Sequence, residues 1–304
     1  MNRSMNLNGL GVNLVTPFNM AGEIDFPALE RLVRHIRSSR INYMVINGSA
    51  SEAALLSLEE QIRILDFVSE INDKTKPLIG GIPGGATRAS VQRISGFNRR
   101  DLQAIYCDEP SPLASSPSGF IGHYRSVAQA SPLPIIIEHK SGILGSNTAE
   151  ALLTLAHEPN IAGVVESTGD VALHGELIRK KPKNFFVLSG RDVMALPLMS
   201  MGADGIVSTI ANAFPTDCSR MMDQMEFGNF QDARTMHHTL APLLRILETE
   251  GVPTGIKAML NHFQRMEHLV RLPNTPVSDE MKAALYRELA ELPQSMVENV
   301  MSPA

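Results

Sequence analysis

Two cysteines, Cys107 and Cys218, are all that this 304-residue chain contains, too few for a disulfide framework. No grouping of cysteine and histidine has zinc spacing, and the adjacent His237 and His238 have no third ligand at a recognisable distance along the chain. Neither a metal nor a cofactor is expected. Positive charge is not in excess: 27 lysines and arginines face 32 acidic residues, for a net charge of −5, so there is no electrostatic footprint for nucleic acid. No apolar run approaches the roughly 20 residues that span a bilayer. The first eight residues contain no apolar h-region, and the expectation is a cytoplasmic protein. The glycine-rich segment 80–85 does not continue into the lysine and hydroxyl residue of a phosphate-binding loop. What is left is a protein that handles small molecules or protein partners.

What is present is a rhythm. Short β-rich runs at residues 12–15, 43–46, 78–81, 104–107, 135–138, 162–166, 185–188 and 205–207 alternate with amphipathic stretches at 26–38, 58–71, 88–98, 119–130, 148–157, 171–180, 192–201 and 215–227. Runs such as Ile135-Ile136-Ile137 are wholly apolar, the pattern of parallel strands buried on both faces. Ser57 and Glu60 have capping-box spacing ahead of a helix, and Asn147 is expected to cap the helix after the fifth strand. Eight strand–helix units in series close most economically into an α/β fold, a (β/α)8 TIM barrel over residues 1–228. The remaining residues, 229–304, read as a C-terminal helical extension packed on it. Such barrels carry their chemistry on the loops that follow the strands. The candidates are therefore residues 16–22, 47–53, 82–87, 108–118, 138–147, 166–170, 189–192 and 208–214.

At those strand ends the motifs become specific. Gly11-Val12-Asn13-Leu14-Val15-Thr16-Pro17-Phe18 ends the first strand, and Asn47-Gly48-Ser49-Ala50-Ser51-Glu52-Ala53 follows the second. Glu166-Ser167-Thr168-Gly169-Asp170 closes the sixth, Leu188-Ser189-Gly190-Arg191-Asp192 the seventh, and Val252-Pro253-Thr254-Gly255-Ile256-Lys257 lies in the helical region. In order and spacing these segments resemble the dihydrodipicolinate synthase / N-acetylneuraminate lyase family of class I aldolases, from residue 9 to about residue 278. The resemblance implies a homo-oligomeric barrel, a homodimer or homotetramer, that binds a small carboxylic acid. It also implies a lysine that forms an imine with a 2-oxo acid. Imine formation requires an amine that is partly neutral.

The same alignment puts Val165 at the position of the imine-forming lysine. Glu138 and Pro112 stand where the proton-relaying tyrosines belong, Ser111 where the interface tyrosine belongs, and Ile143 where the substrate-binding arginine belongs. Ser49 and Ala50 replace a pair of threonines, and Arg191 replaces an acidic residue.

Of the eight lysines, only Lys140 falls in a strand-end loop. Side chains alternate along a strand, so Lys140 can share the orientation of Glu138. Glu138, His139 and Lys140 are the candidate catalytic residues, with Lys140 as a relocated imine lysine and Glu138 as its general acid/base. The competing reading is a solvated lysine paired with Glu138. Gly48, Ser49, Ala50 and Arg191 are the candidate substrate-binding residues, the first three because backbone amides can hold a carboxylate whatever the side chains. Glu52 is expected to cap backbone amides. The functional expectation is a lyase-family protein with a remodelled pocket for a small oxo or hydroxy acid. The alternative is a non-catalytic relative that senses a ligand or modulates a partner.

Overall fold

A computed structural model of the protein describes residues 5–94, 101–110, 116–141 and 144–302. Eight parallel strands close into a barrel in sequence order. They are β1 (Gly9–Asn13), β2 (Tyr43–Ile46), β3 (Leu78–Ile82), β4 (Leu102–Cys107), β5 (Ile135–His139), β6 (Ile161–Glu166), β7 (Phe186–Ser189) and β8 (Gly205–Ser208). Alternation along each strand divides the core into two apolar sets. Val45, Ile79, Tyr106, Ile136, Val165, Leu188 and Val207 fill the barrel interior. Met44, Ile46, Ile105, Ile137, Val164 and Val187 face outward under the helices. Burial on both faces explains why the strands read as continuous hydrophobic runs, and trimming one such residue to alanine costs about 2–5 kcal/mol.

The first strand is displaced from its expected place. It starts at Gly9, and residues 14–18 form a loop although Leu14, Val15 and Phe18 are buried. Phe18 of this loop packs beneath Lys257 and Arg271 of the C-terminal region, so the apolar run outlasts the strand.

Between the strands lie α1 (Phe26–Arg37), α2 (Leu58–Asn72), α3 (Thr87–Ile94), α4 (Pro117–Ala130), α5 (Thr148–Leu155), α6 (Val171–Lys180), α7 (Ala195–Ser200) and α8 (Pro215–Glu226). The capping box forms as expected: Glu60 N–H donates to Ser57 Oγ at 3.1 Å, and Ser57 N–H donates to Glu60 Oε2 at 2.8 Å. Asn147, expected to cap α5, makes no capping hydrogen bond. A 3-10 turn over Gly145–Asn147 runs directly into the helix, which leaves no extended residue to act as a cap. The stretch expected as one helix over 192–201 is split. The Asp192 carboxylate is drawn to the β8 loop, where it accepts from Thr209 N, Thr209 Oγ1 and Ile210 N at 2.8–3.1 Å.

The C-terminal helices are α9 (Phe230–Glu250), α10 (Val252–His262), α11 (Asp279–Ala290) and α12 (Gln294–Met301). α9 packs on α8 and on the turn after β7, then breaks at Gly251, whose φ of +90° suits glycine. Among the described residues no helix is long and apolar enough to cross a membrane.

Candidate functional site

The C-terminal ends of the strands and the helices above them enclose a cavity of about 360 Å³. β5 turns Glu138 into it. The Glu138 carboxyl accepts a 2.8 Å hydrogen bond from Ser49 Oγ, and Ser49 accepts one of 3.1 Å from Asn13 Nδ2. Gly48 makes the second contact possible, since a Cβ there would lie 2.4 Å from Asn13 Oδ1. Tyr106 brings its hydroxyl to the same pair, where it interacts with both Glu138 and Ser49. Asn13, Ser49 and Tyr106 therefore orient one carboxyl group from three strand ends.

Glu138 is 4% exposed, and its pKa is pushed up to about 8. Burial is the main cause and the negative charge of Asp108 adds to it. The Lys140 ammonium and the Ser49 hydroxyl pull the other way without cancelling the rise. Near neutral pH the group is largely a carboxylic acid. Among the described residues, Asn13 Oδ1, Glu138 Oε2 and Ser167 Oγ are buried at this cavity without a hydrogen-bond partner. Unpaired buried polar atoms are costly unless something else meets them.

Lys140 lines the cavity beside Glu138, as strand alternation predicts. Its Nζ is 2.6 Å from Asp108 Oδ1 and 3.8 Å from Glu138 Oε2. Burial alone lowers the pKa of this amine, but the carboxylates of Glu138, Asp108 and Glu109 outweigh it and leave the pKa above its ordinary value. Lys140 is therefore held as an ammonium. Asp108, its main partner, was not singled out in the sequence because it follows a buried strand in a loop without a motif. Glu109 fixes the backbone here by accepting from Lys140 N at 3.3 Å and Ser141 N at 2.8 Å.

His139 is not brought to the cavity. It points away from the barrel interior, with Nδ1 3.4 Å from Glu166 Oε1 and Nε2 3.9 Å from Glu109 Oε1. The pleat that aligns residues 138 and 140 sends residue 139 to the opposite face. Of the three consecutive residues, Glu138 and Lys140 therefore share the cavity and His139, expected beside them, does not. Glu166 also lies 2.9 Å from His174 Nδ1 and accepts from Thr168 N at 2.8 Å, and these contacts hold its pKa well below the usual range against the opposing effect of burial.

Ser49 and Ala50 open a short 3-10 turn, Ser49–Ser51, at the cavity wall, with Gly48 as its preceding residue. Their N–H groups have no acceptor within the turn. Arg191 lines the rim, yet its guanidinium is engaged. Nε and Nη2 both donate to Glu248 Oε1, and Nη1 donates to Thr168 O at 3.0 Å. Gly190 leaves room for Ser167, whose Oγ would lie 1.9 Å from a Cβ at that position. Val165 sits inside the barrel among Tyr106, Ile136 and Leu188, and β6 contains no lysine. Ser111, Pro112 and Ile143 lie outside the described residues.

Lys257 and Glu52 form a separate buried ion pair. Nζ is 2.5 Å from Glu52 Oε1, donates to Leu269 O at 2.8 Å, and lies 4.0 Å from the centre of the Phe18 ring. Glu52 also accepts from Arg271 N at 2.9 Å, the backbone capping role expected of it, and from Asn274 Nδ2 at 3.1 Å. Burial lowers the Lys257 pKa to about 8 even with Glu52 beside it. The pair clips the β2 loop to the C-terminal segment and does not line the cavity. Among the described residues no group of three or more histidine, cysteine or acidic side chains could hold a metal ion.

A closed parallel barrel with a cavity at its strand ends and helices over one side defines a (β/α)8 protein with its site on the strand-end loops. The Dihydrodipicolinate synthetase family matches residues 6–292, and the chain belongs to that family. The 4-hydroxy-tetrahydrodipicolinate synthase of Parabacteroides distasonis is 36% identical over 274 residues, covering 90% of this chain and 92% of that one. Among solved structures, a dihydrodipicolinate synthase from Bacillus anthracis superposes with a TM-score of 0.90 at 27% identity, covering 95% of this chain and 100% of the other. A chloride-inhibited dihydrodipicolinate synthase from Acinetobacter baumannii, complexed with pyruvate, has a TM-score of 0.88 at 30% identity, covering 94% of this chain and 98% of that one.

Proposed function

We propose that this family member binds a small oxo or hydroxy acid at the barrel mouth and acts on it by proton transfer through Glu138, without forming an imine. The observation that carries this reading is the buried, oriented carboxyl of Glu138, raised to a pKa of about 8 beside unpartnered polar atoms. A carboxyl poised near the working pH can give a proton to a carbonyl oxygen as negative charge develops there. In its ionised form it can take one from a hydroxyl or an activated carbon.

Lys140 is the electrostatic anchor in this reading. An imine requires a neutral amine, whereas Lys140 is paired with Asp108 and has a raised pKa. A fixed ammonium at the mouth suits the carboxylate of the ligand, and the N–H groups of Ser49 and Ala50 after Gly48 add donors. Arg191 closes the rim through Glu248. The assembly that goes with this reading is the family's homodimer or homotetramer, checked by light scattering on the purified chain.

One observation favours the alternative of a ligand-sensing relative that binds without turnover: Val165 and Ala50 offer hydrocarbon side chains where the resemblance implies reactive or hydroxyl groups. Incubation with pyruvate and other small 2-oxo and 2-hydroxy acids, followed by thermal shift and proton NMR, separates the two. Binding with exchange of α-protons or consumption of the acid, lost in Glu138→Gln, supports catalysis. Binding without either supports the sensor. A borohydride-trapped mass increase on any lysine overturns the imine-free mechanism, and absence of binding by every acid overturns the site.

A further inference from the structure

The cavity has two unlike sides. Asn13, Ser49, Glu138 and Lys140, from β1, the loop after β2 and the end of β5, make one polar side, and Ser167 adds a hydroxyl at the end of β6. Val193, Val207, Leu244, Leu247 and Val252, from the β7 and β8 ends and the corner between α9 and α10, make an apolar wall. Leu247 is held in that wall because Gly255 lacks a Cβ, which would lie 2.5 Å from Leu247 Cδ2. The volume of about 360 Å³ exceeds what a three-carbon acid needs.

Charge at the apolar end is cancelled. Arg191 is bound to Glu248 and to Thr168 O, and Asp192 is bound to the β8 loop. A second carboxylate arriving there would have to compete with Glu248 for Arg191, and it would meet both acidic side chains.

We infer that the ligand of this site is a monocarboxylic acid with an aliphatic substituent, its carboxylate at Lys140 and its chain against Leu244, Leu247 and Val252. This rests on the acid-binding reading above and adds the class of acid. Burial of each added methylene tightens binding by about threefold to fourfold. A dicarboxylate of the same chain length loses that gain and also desolvates a charge whose nearest cation, Arg191, is already bound to Glu248.

The test is calorimetric titration of the full-length protein at pH 7 with pyruvate, 2-oxobutanoate, 2-oxopentanoate, 4-methyl-2-oxopentanoate and 2-oxoglutarate, and with the corresponding 2-hydroxy acids. Affinity is expected to rise by about threefold with each carbon of the monocarboxylate series. 2-Oxoglutarate is expected to bind at least about tenfold more weakly than 2-oxopentanoate. Glu248→Gln, which loosens the hold on Arg191, should raise the affinity for 2-oxoglutarate relative to that for 2-oxopentanoate by about tenfold. A flat series, or 2-oxoglutarate binding as well as 2-oxopentanoate to the unmodified protein, overturns this inference and leaves the acid site standing. Failure of every acid to bind removes the acid site and the inference together.

Discussion

Glu138 and Val165 are partners in register across β5 and β6, and both face the barrel interior. A carboxyl group thus has an isopropyl group as its cross-strand neighbour. Burial is the largest cause of the raised pKa of Glu138, and Val165 is part of that dry surrounding. An amine on β6 would instead favour the ionised carboxylate. The hydrocarbon at 165 and the protonated acid at 138 belong to one electrostatic arrangement.

The first prediction concerns pH. In the folded protein Glu138 keeps its proton up to about pH 8, whereas in the unfolded chain it loses it near 4.5. Between those values the native state binds the extra proton, so stability contributed by this group falls as pH rises. Glu138→Gln retains an acceptor for Ser49 and removes the titration. Its melting temperature should match that of the unmodified protein at pH 4 and exceed it at pH 8, by an amount corresponding to about 2 kcal/mol or more. A difference that does not change with pH would show that the carboxyl is not held neutral.

Lys140→Met removes the ammonium from the mouth. Affinity for a small acid should fall by about tenfold or more, while Lys140→Arg keeps the charge and much of the binding. Loss of the cation also removes an influence that lowers the Glu138 pKa, so the Glu138 titration should move upward. Carboxyl chemical shifts across a pH series report this directly.

Lys257→Met leaves Glu52 buried without its cation. The expected cost is about 3–5 kcal/mol in denaturant unfolding. Adding Glu52→Gln should recover a large part of it, because the orphaned charge, rather than the loss of the pair itself, is the main penalty. Equal losses in the single and double variants would argue that packing against Phe18 matters more than charge.

Gly190→Ala tests how tightly the β6 and β7 ends are fitted. The new Cβ meets Ser167 Oγ and Val165 Cγ1 within 3.0 Å. Destabilisation of about 1–3 kcal/mol is expected, relieved in part by Ser167→Ala.

Much of this was legible in the chain because it is written in local terms. β2 and α6 fall on the stretches expected for them, since burial on both faces of a parallel strand and one face of a helix leave periodicities that a short window reveals. Alternation also predicted that Glu138 and Lys140 would share a face. The same rule, applied to His139, would have removed it from the catalytic set, where adjacency in sequence had put it. Other features depend on distance. Lys257 meets Glu52 across 205 positions of chain, and nothing local to either residue marks the other. Asp108 becomes the partner of Lys140 only when β4 and β5 pair. The apolar wall from α9 was equally hidden, because an amphipathic helix shows that one side is covered without showing by what.

That wall has a consequence for how the pocket can change. Leu244, Leu247 and Glu248 belong to a helix that takes no part in the ring of paired strands, so replacing them leaves every rung of the sheet in place. Under the proposed reading, proton chemistry is tied to the scaffold through Glu138, whereas the choice of ligand is delegated to an accessory segment. Descendants of this chain could therefore diversify in diet by drift in one helix, without reopening the question of whether the barrel closes.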